Sequence, residues 1–402
     1  MTPTRFMVIA GEASGDLLAA ELVRAIRENF GARGRYQPGR AGVSKPGVDP
    51  QFFGAGGPAM KAAGVELAFD MTRHAVVGLI EVLRNYGKFR RLFRQLLELA
   101  IQRQPDAIIC VDFSGFNRRF ARAVKRYAAG KQRTISNWQP KLIQYISPQV
   151  WASRESRAQK MARDFDLLLS IFPFEKDWYA ARVPQFAVQF VGHPLVDRYT
   201  DIKGTPAGAD SKSPRVILLP GSRTAELSRH LPVIRDALKR LQSQMELRWA
   251  MILPNEALTE QARVEFAEVA GGEIRIGGLA EALLGADLAI ASTGTVTMEC
   301  AWFGVPTVAI YKTSWSTYQI AKRIIKVRFL AMPNILADEA LFPELIQHEA
   351  TGENIARVAL DLLENTTQRE SIKGKLTGVV ETLGAPGAAS RAAEAIIDLL
   401  RV

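Results

Sequence analysis

Short, almost wholly apolar runs alternate with amphipathic stretches along most of this chain. FMVIA (6–10), DAIICVD (106–112), KLIQYIS (141–147), DLLLSIF (166–172) and QFAVQFVG (185–192) lie in the first half. RVILLPG (215–221), LRWAMILP (247–254), DLAIAS (287–292) and PTVAIY (306–311) lie in the second. A run this short and apolar at nearly every position reads as a strand buried on both faces. Segments of helical period follow, near 15–29, 116–129 and 151–162, then up to about 243 and from Thr295. The alternation predicts βαβ units, hence parallel sheets covered by helices: an α/β fold.

At 402 residues the chain exceeds one ordinary core. The series breaks at LVDRYTDIKGTPAGADSKSP (195–214), rich in Gly, Pro, Ser, Asp and Lys without apolar period, which reads as an interdomain linker. The expectation is two Rossmann-like doubly wound domains, residues 1–200 and 213–402, with the last helix able to pack back on the first. Open sheets of this kind bind ligands at the carboxyl ends of their strands, so the two edges are expected to face a cleft. GARGRYQPGRAGVSKPGVDP (31–50) reads as a long surface loop.

Composition narrows the partners. Lys and Arg number 52 against 41 Asp and Glu, a net charge of +11, which favours nucleic acid, an anionic membrane or phosphorylated small molecules. Aromatic residues are 8% of the chain and are not interleaved with the basic runs, so single-stranded nucleic acid is disfavoured. No apolar run reaches the roughly 18 residues of a membrane span, and a first strand at residue 6 leaves no room for a signal peptide. Cys110 and Cys300 sit in apolar contexts and read as small buried hydrophobes of a reducing compartment.

Four turns carry the chemistry. LLPGSR (218–223) ends a strand with Gly221, Ser222 and Arg223 before a helix. It offers close backbone approach, helix N-terminal N–H groups and a guanidinium suited to a diphosphate, against the blander reading of a solvated first-turn Arg. ASTGTVTME (291–299) repeats the pattern with Thr293, Gly294 and Thr295, and Glu299 lies one turn further on the same face. That carboxylate can accept from two ribose hydroxyls or simply offset the helix dipole. Together the two turns point to a nucleoside-diphosphate site. In the other half, Asp112 ends AIICVD, placed either as a general base or as the cap of the next helix. AGEASGD (10–16) has the outline of a phosphate loop but carries Glu12 and Asp16, acids that suit sugar hydroxyls instead; Ser14 is placed to cap the helix. Asp164-Phe165-Asp166 reads as turn chemistry before a strand, so no metal is expected.

Two basic stretches remain. In RNYGKFRRLFRQLLELAIQRQ (84–104), Phe89, Leu92, Phe93, Leu96 and Ala100 share a face, with Arg84, Lys88, Arg90, Arg91, Arg94 and Arg103 against the single acid Glu98. Between Lys312 and Arg328 stand Lys322, Arg323 and Lys326 and no acid. Such one-sided charge suits an anionic membrane surface, although the apolar face of 84–104 reads as core.

The blocks GEASGD (11–16), FGAGGPAM (53–60), VVGLIEVL (76–83), VDFSGFN (111–117), YISPQVWASR (145–154), PFE (173–175), FVGHPLVD (190–197), LLPGSR, TGTVTME (293–299) and MPNILA (332–337) resemble, in order and across nearly the whole chain, the lipid-A-disaccharide synthase family. The resemblance implies a two-domain GT-B glycosyltransferase. It implies an inverting, metal-independent reaction joining UDP-2,3-diacylglucosamine to 2,3-diacylglucosamine 1-phosphate (lipid X) at the cytoplasmic face of the inner membrane, with no cofactor. It places Asp112 as the base, and Gly221, Ser222, Arg223, Thr293, Gly294, Thr295, Glu299 and Asn334 at the donor. Glu12, Ser14, Asp16, Ser147 and Trp151 fall on the acceptor side. The chain departs from the family pattern at Gly115, where many members carry a second Asp, and at Thr293, where Ser is usual. Another GT-B enzyme acting on UDP-GlcNAc, such as a lipid II-type transferase or a 2-epimerase, is the nearest alternative.

Overall fold

A computed structural model describes residues 3–33, 49–72, 86–130, 138–202 and 213–401. The block at 76–83, Arg84 and most of the 31–50 loop lie outside them. The chain divides into two compact units, residues 1–197 with 383–402, and residues 198–382.

Unit one is built on a parallel sheet of seven strands: β1 (Arg5–Ala10), β2 (Gln51–Gly56), β3 (Glu66–Asp70), β4 (Ala107–Val111), β5 (Lys141–Tyr145), β6 (Leu167–Ser170) and β7 (Ala187–Phe190). Their order is β3-β2-β1-β4-β5-β6-β7. The central strands are apolar at nearly every position because helices cover both faces: Phe6 to Ala10 and Ala107 to Val111 are fully buried. On one side, helix Tyr86–Arg103 sets Leu92, Leu96 and Ala100 against the core, so its apolar face is structural. β2 and β3 escape the apolar-run reading, since QFFGAG carries two glycines and ELAFD is a half-exposed edge.

The chain returns to unit one at its end. Helix Ala388–Leu399 packs on helix Ala13–Arg33, burying Ala392, Ala393 and Ile396. Asp197 accepts from the amide of Gly387, and Arg391 donates to the carbonyls of Val191 at 2.7 Å and Ala385 at 2.6 Å. The start of the expected linker is therefore corrected. Residues Pro194–Tyr199 form a helix whose Leu195 and Val196 are buried, because FVGHPLVD must hold the returning chain.

Unit two has a six-stranded parallel sheet: β8 (Arg215–Leu219), β9 (Arg248–Leu253), β10 (Gly272–Ile276), β11 (Leu288–Ser292), β12 (Thr307–Tyr311) and β13 (Glu344–Ile346), in the order β10-β9-β8-β11-β12-β13. Strand order reverses between β1 and β4 in unit one and between β8 and β11 in unit two. Open α/β sheets bind ligands beyond the carboxyl ends of their strands at such reversals. GEASGD follows β1, VDFSGFN follows β4, LLPGSR follows β8 and TGTVTME follows β11. All four turns singled out in the sequence flank these two points.

Candidate active site

In unit one, the turns after β1 and β4 interlock. The ring of Phe113 lies where a Cβ on Gly11 would sit, 2.5 Å away, so only glycine fits there. A Cβ on Gly15 would stand 3.8 Å from the Asp112 Cβ, which places AGEASGD directly against the candidate base. Helix Ser114–Ala129 has its N-cap at Phe113, one residue past Asp112. Asp112 and Phe113 are both left-handed, at φ 48° and 41°. The Asp112 carbonyl accepts from Asn117 Nδ2 at 2.8 Å and Gln144 Nε2 at 3.0 Å.

Three of the residues expected on the acceptor side, Asp16, Ser147 and Trp151, have structural partners. Asp16 is 3% exposed and accepts from the amides of Gly57 (2.7 Å), Ala59 (2.8 Å) and Met60 (3.1 Å). It caps helix Pro58–Ala62 from 41 residues away, because Gly57 at the N-cap has no side chain to do so. That gives Asp16, expected at a sugar, a structural role. Ser14 lies exposed inside the first turn of helix Ala13–Arg33, which starts one residue earlier, so it is not the cap. Ser147 and Trp151 turn inward on Glu175, a carboxyl with no exposed surface. Trp151 Nε1 donates to Glu175 Oε1 at 3.0 Å, and the Ser147 hydroxyl donates to the Tyr179 oxygen at 3.4 Å. Burial pushes the Glu175 carboxyl up to about 7, against the lowering pull of Trp151, Ser147 and the Phe172 and Ile171 amides. Glu12 remains half-buried at the head of the turn.

In unit two, Gly221 takes φ 124° and Gly294 φ 156°, positions that favour glycine. Space around Gly294 is open where a Cβ would project. Glu226 was missed in the sequence. Its Oε2 accepts from the Ser222 amide at 3.3 Å and its Oε1 from Arg223 Nη1 at 3.2 Å, so a carboxylate already occupies the PGSR turn. His230, fully buried, accepts from the Lys312 amide through Nε2 at 2.9 Å. Nδ1 therefore carries the proton and donates to the Pro220 carbonyl at 2.6 Å. Burial lowers the pKa of this ring, which keeps it neutral as a tie between the ends of β8 and β12.

Glu299 Oε1 accepts from the Tyr199 hydroxyl at 2.8 Å, and burial raises the carboxyl's pKa despite that bond. Asn334, expected at the donor, holds the chain around Phe342 and Glu344. It is fully buried, with its amide spent on Phe342 N (2.8 Å), Phe342 O (2.7 Å) and Glu344 Oε1 (2.9 Å). Lys312 is half-buried, and its ammonium donates to the carbonyls of Gln347 and Ala350, each at 3.0 Å. The two acids of DFD are structural. Asp164 is ion-paired with Arg163 and Arg118, and Asp166 is ion-paired with Lys125 and accepts from the Leu142 amide.

A family model for lipid-A-disaccharide synthetase matches residues 6–396. The lipid-A-disaccharide synthase of Trichlorobacter lovleyi is 36% identical over 99% of this chain and 98% of its own length. That of Geobacter sulfurreducens is 35% identical over the same shares. The chain belongs to the lipid-A-disaccharide synthase family. Family membership makes it a hexosyltransferase of lipid A biosynthesis. Solved structures agree on the GT-B architecture. A glycosyltransferase of kitacinnamycin superposes with a TM-score of 0.61 at 16% identity, over 100% of this chain and 99% of that one. MurG of Acinetobacter baumannii gives 0.53 at 16%, over 98% and 100%. A putative UDP-N-acetylglucosamine 2-epimerase of Listeria monocytogenes gives 0.62 at 13%, over 99% and 95%. At these identities the likeness is one of fold. Among the described residues, no helix is long and apolar enough to cross a membrane.

Proposed function

We propose that this synthase-family member transfers 2,3-diacylglucosamine from UDP-2,3-diacylglucosamine to the 6-hydroxyl of lipid X. The products are the β-1,6-linked disaccharide 1-phosphate and UDP. The observation that carries the reading is the division of chemistry between the two strand-order reversals. In unit two, the glycine turns at Gly221 and Gly294, with Ser222, Thr293, Thr295 and Arg223, offer amides and a guanidinium to a diphosphate. Glu299, fixed by Tyr199, is the ribose acceptor. The charge that UDP carries away is met by these fixed donors, so the reaction needs neither metal nor cofactor. In unit one, Asp112 takes the proton of the acceptor hydroxyl as attack inverts the anomeric carbon, and Glu12 at the head of the GEASGD turn serves the acceptor sugar.

The protein works at the cytoplasmic face of the inner membrane, held peripherally. The surface that favours this is helix Trp315–Ile324 and its continuation, where Trp315 is 74% exposed beside exposed Lys322, Arg323, Lys326 and Arg328. The deciding experiment supplies purified protein with UDP-2,3-diacylglucosamine and lipid X in excess EDTA, following UDP and disaccharide together. Equal yields of both are expected. Full turnover of unacylated UDP-GlcNAc, or a dependence on added metal, would overturn the reading.

A further inference from the structure

Among the described non-glycine residues, six have positive φ, and three of them crowd one place: Asp112, Phe113 and Ile146, at 48°, 41° and 70°. Left-handed backbone is costly for residues with a Cβ, most of all for a β-branched one such as Ile146. The three sit just past the ends of adjacent strands β4 and β5, paired through Val111 and Tyr145. One buried amide joins the two strand ends. Gln144 Nε2 lies 3.0 Å from the Asp112 carbonyl, 3.2 Å from that of Tyr145 and 3.2 Å from that of Ile146. Asn117 Nδ2 adds a second donor, 2.8 Å from the Asp112 carbonyl and 3.3 Å from that of Val111. The orientation of both amides is fixed by chemistry, since turning either over would set oxygen against carbonyl oxygens.

Both side chains are fully buried, and each leaves its own oxygen, Gln144 Oε1 and Asn117 Oδ1, without a hydrogen-bond partner. Folds rarely keep buried acceptors unsatisfied, and a leucine at either position would avoid the penalty. The nitrogens are what these positions retain. We infer that Gln144, assisted by Asn117, is a positioning residue that clamps the left-handed carbonyl of Asp112 and so aims its carboxylate at the acceptor hydroxyl. Strain held by surrounding structure at a reacting group is a recurrent form of pre-organisation. The inference rests on the reading of Asp112 as the base.

The test compares Gln144→Met, which keeps length and loses the donors, with Asn117→Leu, Asp112→Asn and the double variant Asp112→Asn/Gln144→Met. Gln144→Met is expected to lower kcat by at least about 10-fold with acceptor KM and UDP affinity unchanged, as for lost orientation. Asn117→Leu follows in the same direction and serves if Gln144→Met does not fold. Asp112→Asn alone falls at least about 10²-fold, and the double variant falls no further. A kcat within about twofold of wild type in the folded Gln144→Met and Asn117→Leu proteins overturns the clamp. So does a double variant that loses the full product of both effects. Near-normal activity of Asp112→Asn instead overturns the base assignment itself, whichever way the clamp variants behave.

Discussion

The two strand-order reversals solve one geometric problem with opposite means. In unit two, the turns after β8 and β11 reach positive φ with Gly221 and Gly294, which removes the side chain at those positions. In unit one, the turns past β4 and β5 reach it with Asp112, Phe113 and Ile146, which preserves side chains at the cost of strain. Glycine there serves a different end: Gly11 makes room for the Phe113 ring. A site for phosphate oxygens needs bare amides, whereas a site for a hydroxyl needs a carboxylate held at a fixed angle. The same doubly wound frame is thus specialised by where it tolerates strain.

The acidic character of the unit-one turns is partly architectural, and removing it should break that side first. Asp16→Ala leaves the amides of Gly57, Ala59 and Met60 unpaired at a buried site. A loss of about 4 kcal/mol in unfolding free energy is expected, since hydrogen bonds to a charged acceptor are the stronger kind. Folded Asp16→Ala should still bind UDP normally. Urea denaturation with UDP titration decides it; a wild-type midpoint would return Asp16 to the list of sugar contacts.

Glu175 gives unit one a pH response. The unfolded carboxyl titrates near 4.5 and the folded one near 7, because burial opposes its charge. Folding therefore takes up a proton between those values. The contribution is fully present below pH 4.5 and is lost as pH rises through 7, a swing of about 3 kcal/mol. Glu175→Gln should flatten that part of the stability–pH curve. An unchanged slope from pH 5 to 7 would show that the carboxyl is ionised throughout.

How much of this was legible in sequence follows from where each signal resides. Fully buried strands write themselves as apolar runs, so β1, β4, β5, β8 and β11 and the turns after them were readable. Edge strands β3, β10 and β13 are half-exposed and carry no such run. Asp112 was a conspicuous candidate because a charged residue directly follows the buried run of β4. Asp16, Ser147, Trp151 and Asn334 stood in the right motifs, yet their partners lie 41, 32, 24 and 8 to 10 residues away. Spacing along the chain carries no record of such pairings. Gln144 had one faint mark, a lone polar residue inside KLIQYIS.

The smaller effects lie in unit two and test whether its turn is built for an anion. Arg223→Ala should weaken UDP binding by about tenfold, the scale of one charge-assisted contact, with kcat less affected than KM for the donor. Unchanged UDP affinity would remove Arg223 from the diphosphate. Glu226→Gln should act in the opposite sense. Its carboxylate shares Arg223 and the Ser222 amide, the same donors a diphosphate would use, so it competes with the ligand in place. Arg223 is 42% exposed, so solvent screens the pair and the gain is small. UDP affinity is expected to rise by about threefold, most visibly at low salt. Isothermal titration at two ionic strengths separates the cases. Weaker binding in Glu226→Gln would mean that the carboxylate orients Arg223 toward the ligand, and the two residues would then form a single donor-binding element.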